Sequence, residues 1–106
     1  MASRLALALG LCAGALANVP WNPAKAADAE NGKRIAERWC ASCHLVSPGQ
    51  TRASAAVPSF EEIARRADVT EAGLSAFLAN PHPRMPDMSL TRTEINNLIK
   101  YLQSLR

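Results

Sequence analysis

Five consecutive residues hold most of the reactive chemistry in this 106-residue sequence. Cys40 and Cys43 are separated by two residues, and His44 follows directly. Thiolates are nucleophiles and soft metal ligands, and imidazole is a common metal ligand. The group could therefore bind a metal, exchange electrons or attach covalently to a cofactor. Near a helix terminus, positions three apart lie on one side, so both thiols can reach the same partner.

A C-x-x-C-H arrangement is typical of covalent haem attachment. Both thiols could join vinyl groups along one porphyrin edge, and His44 would then lie beneath the ring as an iron ligand. Two other interpretations remain open. A thioredoxin-like pair would need a βαβ context, and a zinc site including His82 would have to use two ligands that are adjacent in sequence. We favour haem attachment.

A second axial ligand is expected from the proline-rich segment that precedes the last predicted helix. Its candidates are Met85, Met88 and His82. Pro83 and Pro86 restrict the backbone around Met85, which suits a rigid loop that presents a side chain to iron. A methionine opposite the histidine would raise the reduction potential, so the choice of ligand affects function.

The rest of the sequence predicts an all-α fold of about four short helices, with no convincing strands. The last helix has the clearest pattern, because its apolar residues recur at helical spacing. These residues are Ile95, Leu98, Ile99, Leu102 and Leu105. Four helix starts are expected. Asp28 and Thr70 would each cap a helix alone, whereas Ser59 with Glu62 and Thr91 with Glu94 would form capping boxes.

The first 26 residues have the pattern of an export signal. Arg4 provides a positive start, and the apolar run from Leu5 to Leu16 is too short to span a bilayer comfortably. We expect cleavage after Ala26, with Ala17 as the alternative site. An uncleaved anchor or a lipid on Cys12 is disfavoured. The predicted organisation is a signal peptide at 1–26 and one domain at 27–106, exported to a bacterial periplasm without permanent membrane insertion.

The predicted mature domain is close to electrically neutral. Residues 27–106 contain ten Lys and Arg against nine Asp and Glu, a net charge of +1. That balance gives no general electrostatic attraction for nucleic acid. A domain of this size has a thin core, and Cys40 and Cys43 are too close together for a strongly stabilising disulfide. A buried haem would supply the missing core.

The chain resembles the class I c-type cytochromes over nearly all of the predicted mature domain. The resemblance rests on the order of three features, which are the early Cys40–His44 motif, the later Met85-Pro86 pair and a final helix. It implies a cytochrome c-like fold around one covalently bound haem c, with thioether links at Cys40 and Cys43. It also implies that His44 and Met85 ligate the iron, with Met88 as the alternative to Met85.

Two further positions match this family. Pro58 is similar to a proline whose carbonyl accepts a hydrogen bond from the iron-bound imidazole. Gly32, together with Leu98 and Tyr101, is similar to the residues at the close crossing of the first and last helices. The resemblance therefore implies both a partner for the His44 ring and a glycine that lets the first and last helices approach closely.

The function implied by the resemblance is single-electron transfer rather than enzymatic catalysis. The protein is expected to shuttle electrons in the periplasm between redox proteins such as a dehydrogenase, a bc-type complex or an oxidase. One alternative is a haem c subunit of a periplasmic dehydrogenase or other oxidoreductase complex. A haem-based ligand sensor is a less favoured alternative.

Overall fold

A computed structural model describes residues 27–54, 56–81 and 83–106. Within these ranges the protein has four α-helices and no strands: α1 (Ala29–Trp39), α2 (Phe60–Arg65), α3 (Glu71–Ala79) and α4 (Arg92–Gln103). The prediction of an all-α fold is confirmed. The signal peptide with its two cleavage sites, Cys12 and His82 lie outside the described residues.

Side chains at the predicted positions cap each helix. Asp28 accepts hydrogen bonds from the first amides of α1, and Thr70 accepts one from Gly73 in α3. Both α2 and α4 begin with complete capping boxes, formed by Ser59 with Glu62 and by Thr91 with Glu94. In each box, hydrogen bonds from the capping residue lower the pKa of the glutamate. These caps satisfy amides that have no partner inside the helix.

The core lies where α1 crosses α4. Gly32 packs so tightly there that a Cβ atom would collide with the Asn97 carbonyl and lie 2.8 Å from the Tyr101 Cβ. Ala36, one turn further along α1, is completely buried, and the Asn97 side chain accepts a hydrogen bond from the Asp28 amide at 2.8 Å. Small side chains on α1 thus allow the two helices to approach closely.

The last helix supplies most of the buried apolar surface. Its stripe packs against side chains from the other helices and from the loop that follows α1. The buried members of this core are Ala36, Cys40, Val46, Phe60, Leu78, Ile95, Leu98, Ile99, Tyr101 and Leu102. Leu105, the end of the predicted stripe, is only partly buried. One face of α4 is therefore the platform on which the remaining elements are assembled.

The long loop between α1 and α2 is fixed to this core at two points. The Tyr101 hydroxyl donates a hydrogen bond to the Val46 carbonyl, and the Phe60 amide donates one to the Leu45 carbonyl at 2.9 Å. Burial raises the pKa of Tyr101, and the nearby carboxylates of Glu37 and Glu30 add to the shift. The phenol therefore remains a donor at neutral pH and ties the loop to α4.

Within the described part of the chain, no helix is both long and apolar enough to cross a membrane.

Candidate functional site

The C-x-x-C-H motif forms a tight turn at the end of α1. The Cys40 carbonyl accepts hydrogen bonds from the amides of Cys43 (3.1 Å) and His44 (2.8 Å). The Cys40 amide itself bonds to the Ala36 carbonyl, so the turn continues directly from the helix. The rigid α1–α4 pair thereby determines where the two thiols and the imidazole lie.

The two thiols occupy different environments. Cys40 is 4% exposed, whereas Cys43 lies at the surface, and neither takes part in a disulfide. Burial raises the pKa of the Cys40 thiol to about 11, and the neighbouring Cys43 adds to the shift. In the chain without a cofactor, Cys40 is therefore protonated at neutral pH, and Cys43 is the more accessible thiol.

The His44 ring is held from two sides. Its Nδ1 atom lies 2.6 Å from the Pro58 carbonyl oxygen. Because a carbonyl can only accept, Nδ1 is the donor, which leaves the lone pair of neutral imidazole on Nε2. The Phe60 ring contacts the His44 ring edge-on, with 5.6 Å between centroids. The hydrogen bond implied by the family resemblance is therefore present, and it prepares Nε2 as a ligand.

A cavity of about 590 Å³ opens beside this turn. Most of its wall is apolar, and both thiols, the imidazole and two thioethers lie on it. The lining residues are Trp39, Cys40, Ser42, Cys43, His44, Val57, Pro58, Ile63, Arg66, Asp68, Val69, Thr70, Gly73, Leu74, Phe77, Arg84, Met85, Pro86 and Met88. A cavity of this size and polarity is typical of a cofactor site.

Two large aromatic side chains lie at this cavity rather than in the core. Trp39 is 48% exposed and Phe77 is 43% exposed, although both occur at helical spacing with apolar residues that point inward. Trp39 is also covered by the Arg38 guanidinium, 5.0 Å from the ring centroid. Helical spacing alone does not distinguish a side chain in the core from one beside a cavity.

Both candidate sulfur ligands line the same cavity as the motif turn. Met85 and Met88 are half-buried, and Met85 also packs against the hydrophobic core. Between Met88 and α4 the backbone turns at Ser89, whose φ is 51° and whose amide is bound by the Asp87 carboxylate at 2.8 Å. The structure therefore brings either methionine to the site, and the choice of Met85 stays a prediction.

The donor set and the cavity wall fit haem c. Two thiols suit thioether attachment, an imidazole with a free Nε2 suits one axial position, and a thioether suits the other. Among the described residues, no three His, Cys, Asp or Glu side chains are placed to hold a metal ion. A zinc site would therefore depend on His82, and a thioredoxin-like pair lacks its βαβ context. The attachment and ligand assignments stay predictions.

One residue beside the site, Gln50, has no counterpart in the sequence predictions. Its side chain hydrogen-bonds to the backbone of the motif turn, including the carbonyls of Ala41 and His44. A single glutamine in a loop gives no recognisable signal, because most such side chains are solvated. The contacts of the Gln50 side chain become visible only in the folded loop.

Known proteins match nearly the whole described chain. The family model described as "Cytochrome C oxidase, cbb3-type, subunit III" matches residues 27–102. A curated relative, cytochrome c-552 from Bradyrhizobium diazoefficiens, is 53% identical over 83 residues, which cover 78% of this chain and 80% of that protein. No solved structure matches the chain significantly. Residues 27–102 include the entire cavity lining.

Proposed function

Because this chain belongs to the c-type cytochrome family, we propose that it is a periplasmic mono-haem carrier that passes single electrons between redox proteins. The family implies a covalently bound haem c and electron transfer. Beyond what the family implies, the proposal adds that the chain carries one haem, works in the periplasm and exchanges electrons with protein partners. One observation carries it, namely that two thiols, an imidazole and a thioether all lie on one apolar cavity.

We assign four side chains to the cofactor. Cys40 and Cys43 would form the thioether links, and His44 and Met85 would occupy the axial positions. When bound, haem c supplies a reversible one-electron change between ferrous and ferric iron. The protein contributes the ligands, their orientation and the polarity of the surroundings, which together set the reduction potential.

Among these contributions of the protein, the structure describes the orientation of the His44 ring in most detail. The Pro58 carbonyl accepts the Nδ1 proton, which fixes the tautomer and increases the basicity of Nε2. The edge-on contact with Phe60 also limits rotation of the ring. A ligand held in this way needs little rearrangement when the iron changes its charge, as repeated electron transfer requires.

The cavity wall would favour the less charged oxidation state of a bound haem. Val57, Ile63 and Leu74 contribute partly buried apolar side chains to the wall, while Phe77 and Trp39 line it and are exposed. A low-polarity environment disfavours the additional positive charge of the ferric state and so raises the potential. The two exposed aromatic side chains are where a partner protein could approach for electron transfer.

A second function is supported by the description of the matching family, which names an oxidase subunit. The chain could act as a haem c subunit bound to a larger periplasmic oxidoreductase rather than as a diffusing carrier. The named relative is itself a cytochrome c-552. Both functions use the same residues and differ in whether the protein remains associated with a complex.

Gel filtration of a native periplasmic extract, monitored by haem absorption, tests the proposal. We expect the haem absorption to elute at the size of a protein of residues 27–106 alone. The haem should be reduced reversibly by one electron per chain. Colour found only in a large complex would contradict the carrier and favour the subunit. Rapid cyanide binding by the ferric protein would contradict both and favour a ligand sensor, because an iron with two protein ligands has no open position.

A further inference from the structure

The side chain of Gln50 makes four hydrogen bonds to the backbone around the motif turn. Its Nε2 atom carries two N–H donors, which are shared among three carbonyl oxygens, those of Ala41 (2.7 Å), His44 (2.8 Å) and Arg52 (2.9 Å). Its Oε1 atom accepts from the Val46 amide at 2.9 Å. The residue is half-buried, so these bonds are partly shielded from water. Every polar atom of this side chain is thus directed at the backbone.

Two of the carbonyls that Gln50 contacts, those of Ala41 and His44, belong to a turn that cannot satisfy them by itself. Helix α1 ends at Trp39, and carbonyls beyond a helix end need partners from outside the helix. Ala41 lies between the two cysteines and His44 ends the motif. A single amide group therefore joins the middle of the motif to its last residue.

We propose that Gln50 is a positioning residue that clamps this turn and so holds the His44 ring against the Pro58 carbonyl. The inference rests on the proposed function, because it takes His44 as the iron ligand. Gln50 does not itself line the cavity, and its hydrogen bond to His44 goes to the backbone carbonyl rather than to the ring. It acts through the backbone of His44, which is bound to Cys40 at its amide and to Gln50 at its carbonyl.

Only glutamine combines the required length with both kinds of polar atom. Glutamate has the same shape and keeps an acceptor for the Val46 amide, but it cannot donate to the three carbonyls. Methionine fills a similar volume and makes none of the four bonds. Gln50→Glu therefore replaces the donors with a carboxylate oxygen that the three carbonyls repel, and Gln50→Met removes the complete set without adding a charge.

The test uses ferrous holoprotein and measures hydrogen exchange of the His44 Nδ1 proton by NMR. The rate is taken relative to the Leu98 amide, which lies in the middle of α4 and reports global opening. In both variants the ratio should rise by about tenfold or more, the effect of losing at least one net hydrogen bond. Gln103→Met is the matched control, because Gln103 bonds to Glu71 at a distance from the motif.

The proposal is overturned if the ratio in Gln50→Met stays within about twofold of the control, whatever happens to the melting temperature. If Gln50→Met yields no holoprotein, Gln50→Glu decides by the same criterion. Failure of the proposed function would be recognised separately, because the wild-type protein would then lack haem or a His44 ligand. A merely structural role for Gln50 would speed exchange of His44 and Leu98 together and leave the ratio unchanged.

Discussion

Replacing Met85 with alanine is expected to abolish the weak near-infrared sulfur-to-iron absorption of the ferric holoprotein and to lower its reduction potential. A soft thioether favours ferrous iron, so its loss removes the ligand that raises the potential. The expected fall is on the order of 0.1 V or more, within the ~0.8 V range over which axial ligands set haem potentials. An absorption spectrum and a redox titration measure both effects.

Met88→Ala is the matched control for this substitution. Both methionines are half-buried and line the cavity, so both variants remove a similar amount of apolar contact. The Met88 variant should keep the sulfur-to-iron band and shift the potential far less. Loss of the band in Met88→Ala alone would show that Met88 is the ligand, and retention of the band in both variants would exclude each as its sole source.

Gly32→Ala is expected to have the largest effect on folding. The added Cβ would collide with the Asn97 carbonyl and lie 2.8 Å from the Tyr101 Cβ, and neither α4 atom can rotate away. Helices α1 and α4 would have to separate along the crossing that carries most of the core. We expect a loss of about 3 kcal/mol or more in the free energy of unfolding, the upper end of overpacking costs. Denaturant titration of the holoprotein measures it.

Gly49→Ala provides the control within the same chain. A Cβ at Gly49 meets no atom within 4 Å, and its φ is not positive, so alanine fits without strain. Its free energy of unfolding should stay within about 0.5 kcal/mol of wild type, or rise slightly because the unfolded chain loses entropy. A Gly32→Ala protein that is as stable as Gly49→Ala would contradict the close helix crossing.

The helices were largely predictable because their start signals are local. Ser59 with Glu62, and Thr91 with Glu94, form capping boxes whose partners lie three residues apart, and both boxes are present in the structure. The end of α3 is also marked locally, because Pro81 follows two residues later and could not continue the helix. The role of Gly32 came instead from the resemblance, because its contacts with α4 span more than sixty residues of sequence.

The site was predictable only where its residues are neighbours in the sequence. Cys40, Cys43 and His44 lie within five positions, so their common location follows from local geometry. The contacts of the loop between α1 and α2 could not be predicted in the same way. Gln50 acquires its partners only when that loop folds back on the motif, and no periodic pattern describes such a loop.

The choice between Met85 and Met88 illustrates a second limit of sequence patterns. Both residues lie in one irregular segment, where neither a helical nor a strand period assigns side chains to a face. The structure brings both to the cavity, since the segment lies along its wall. Distinguishing them depends on which sulfur the iron selects, which is a property of the holoprotein.

The most direct test of the central claim is the mass of one peptide from the purified, exported protein. Trypsin cleaves after Arg38 and Arg52, which releases a peptide from Trp39 to Arg52 that contains the complete motif. We expect this peptide to carry the mass of one haem, and we expect neither Cys40 nor Cys43 to react with a maleimide. A peptide of unmodified mass, with both thiols open to the reagent in a folded and colourless protein, would contradict this expectation.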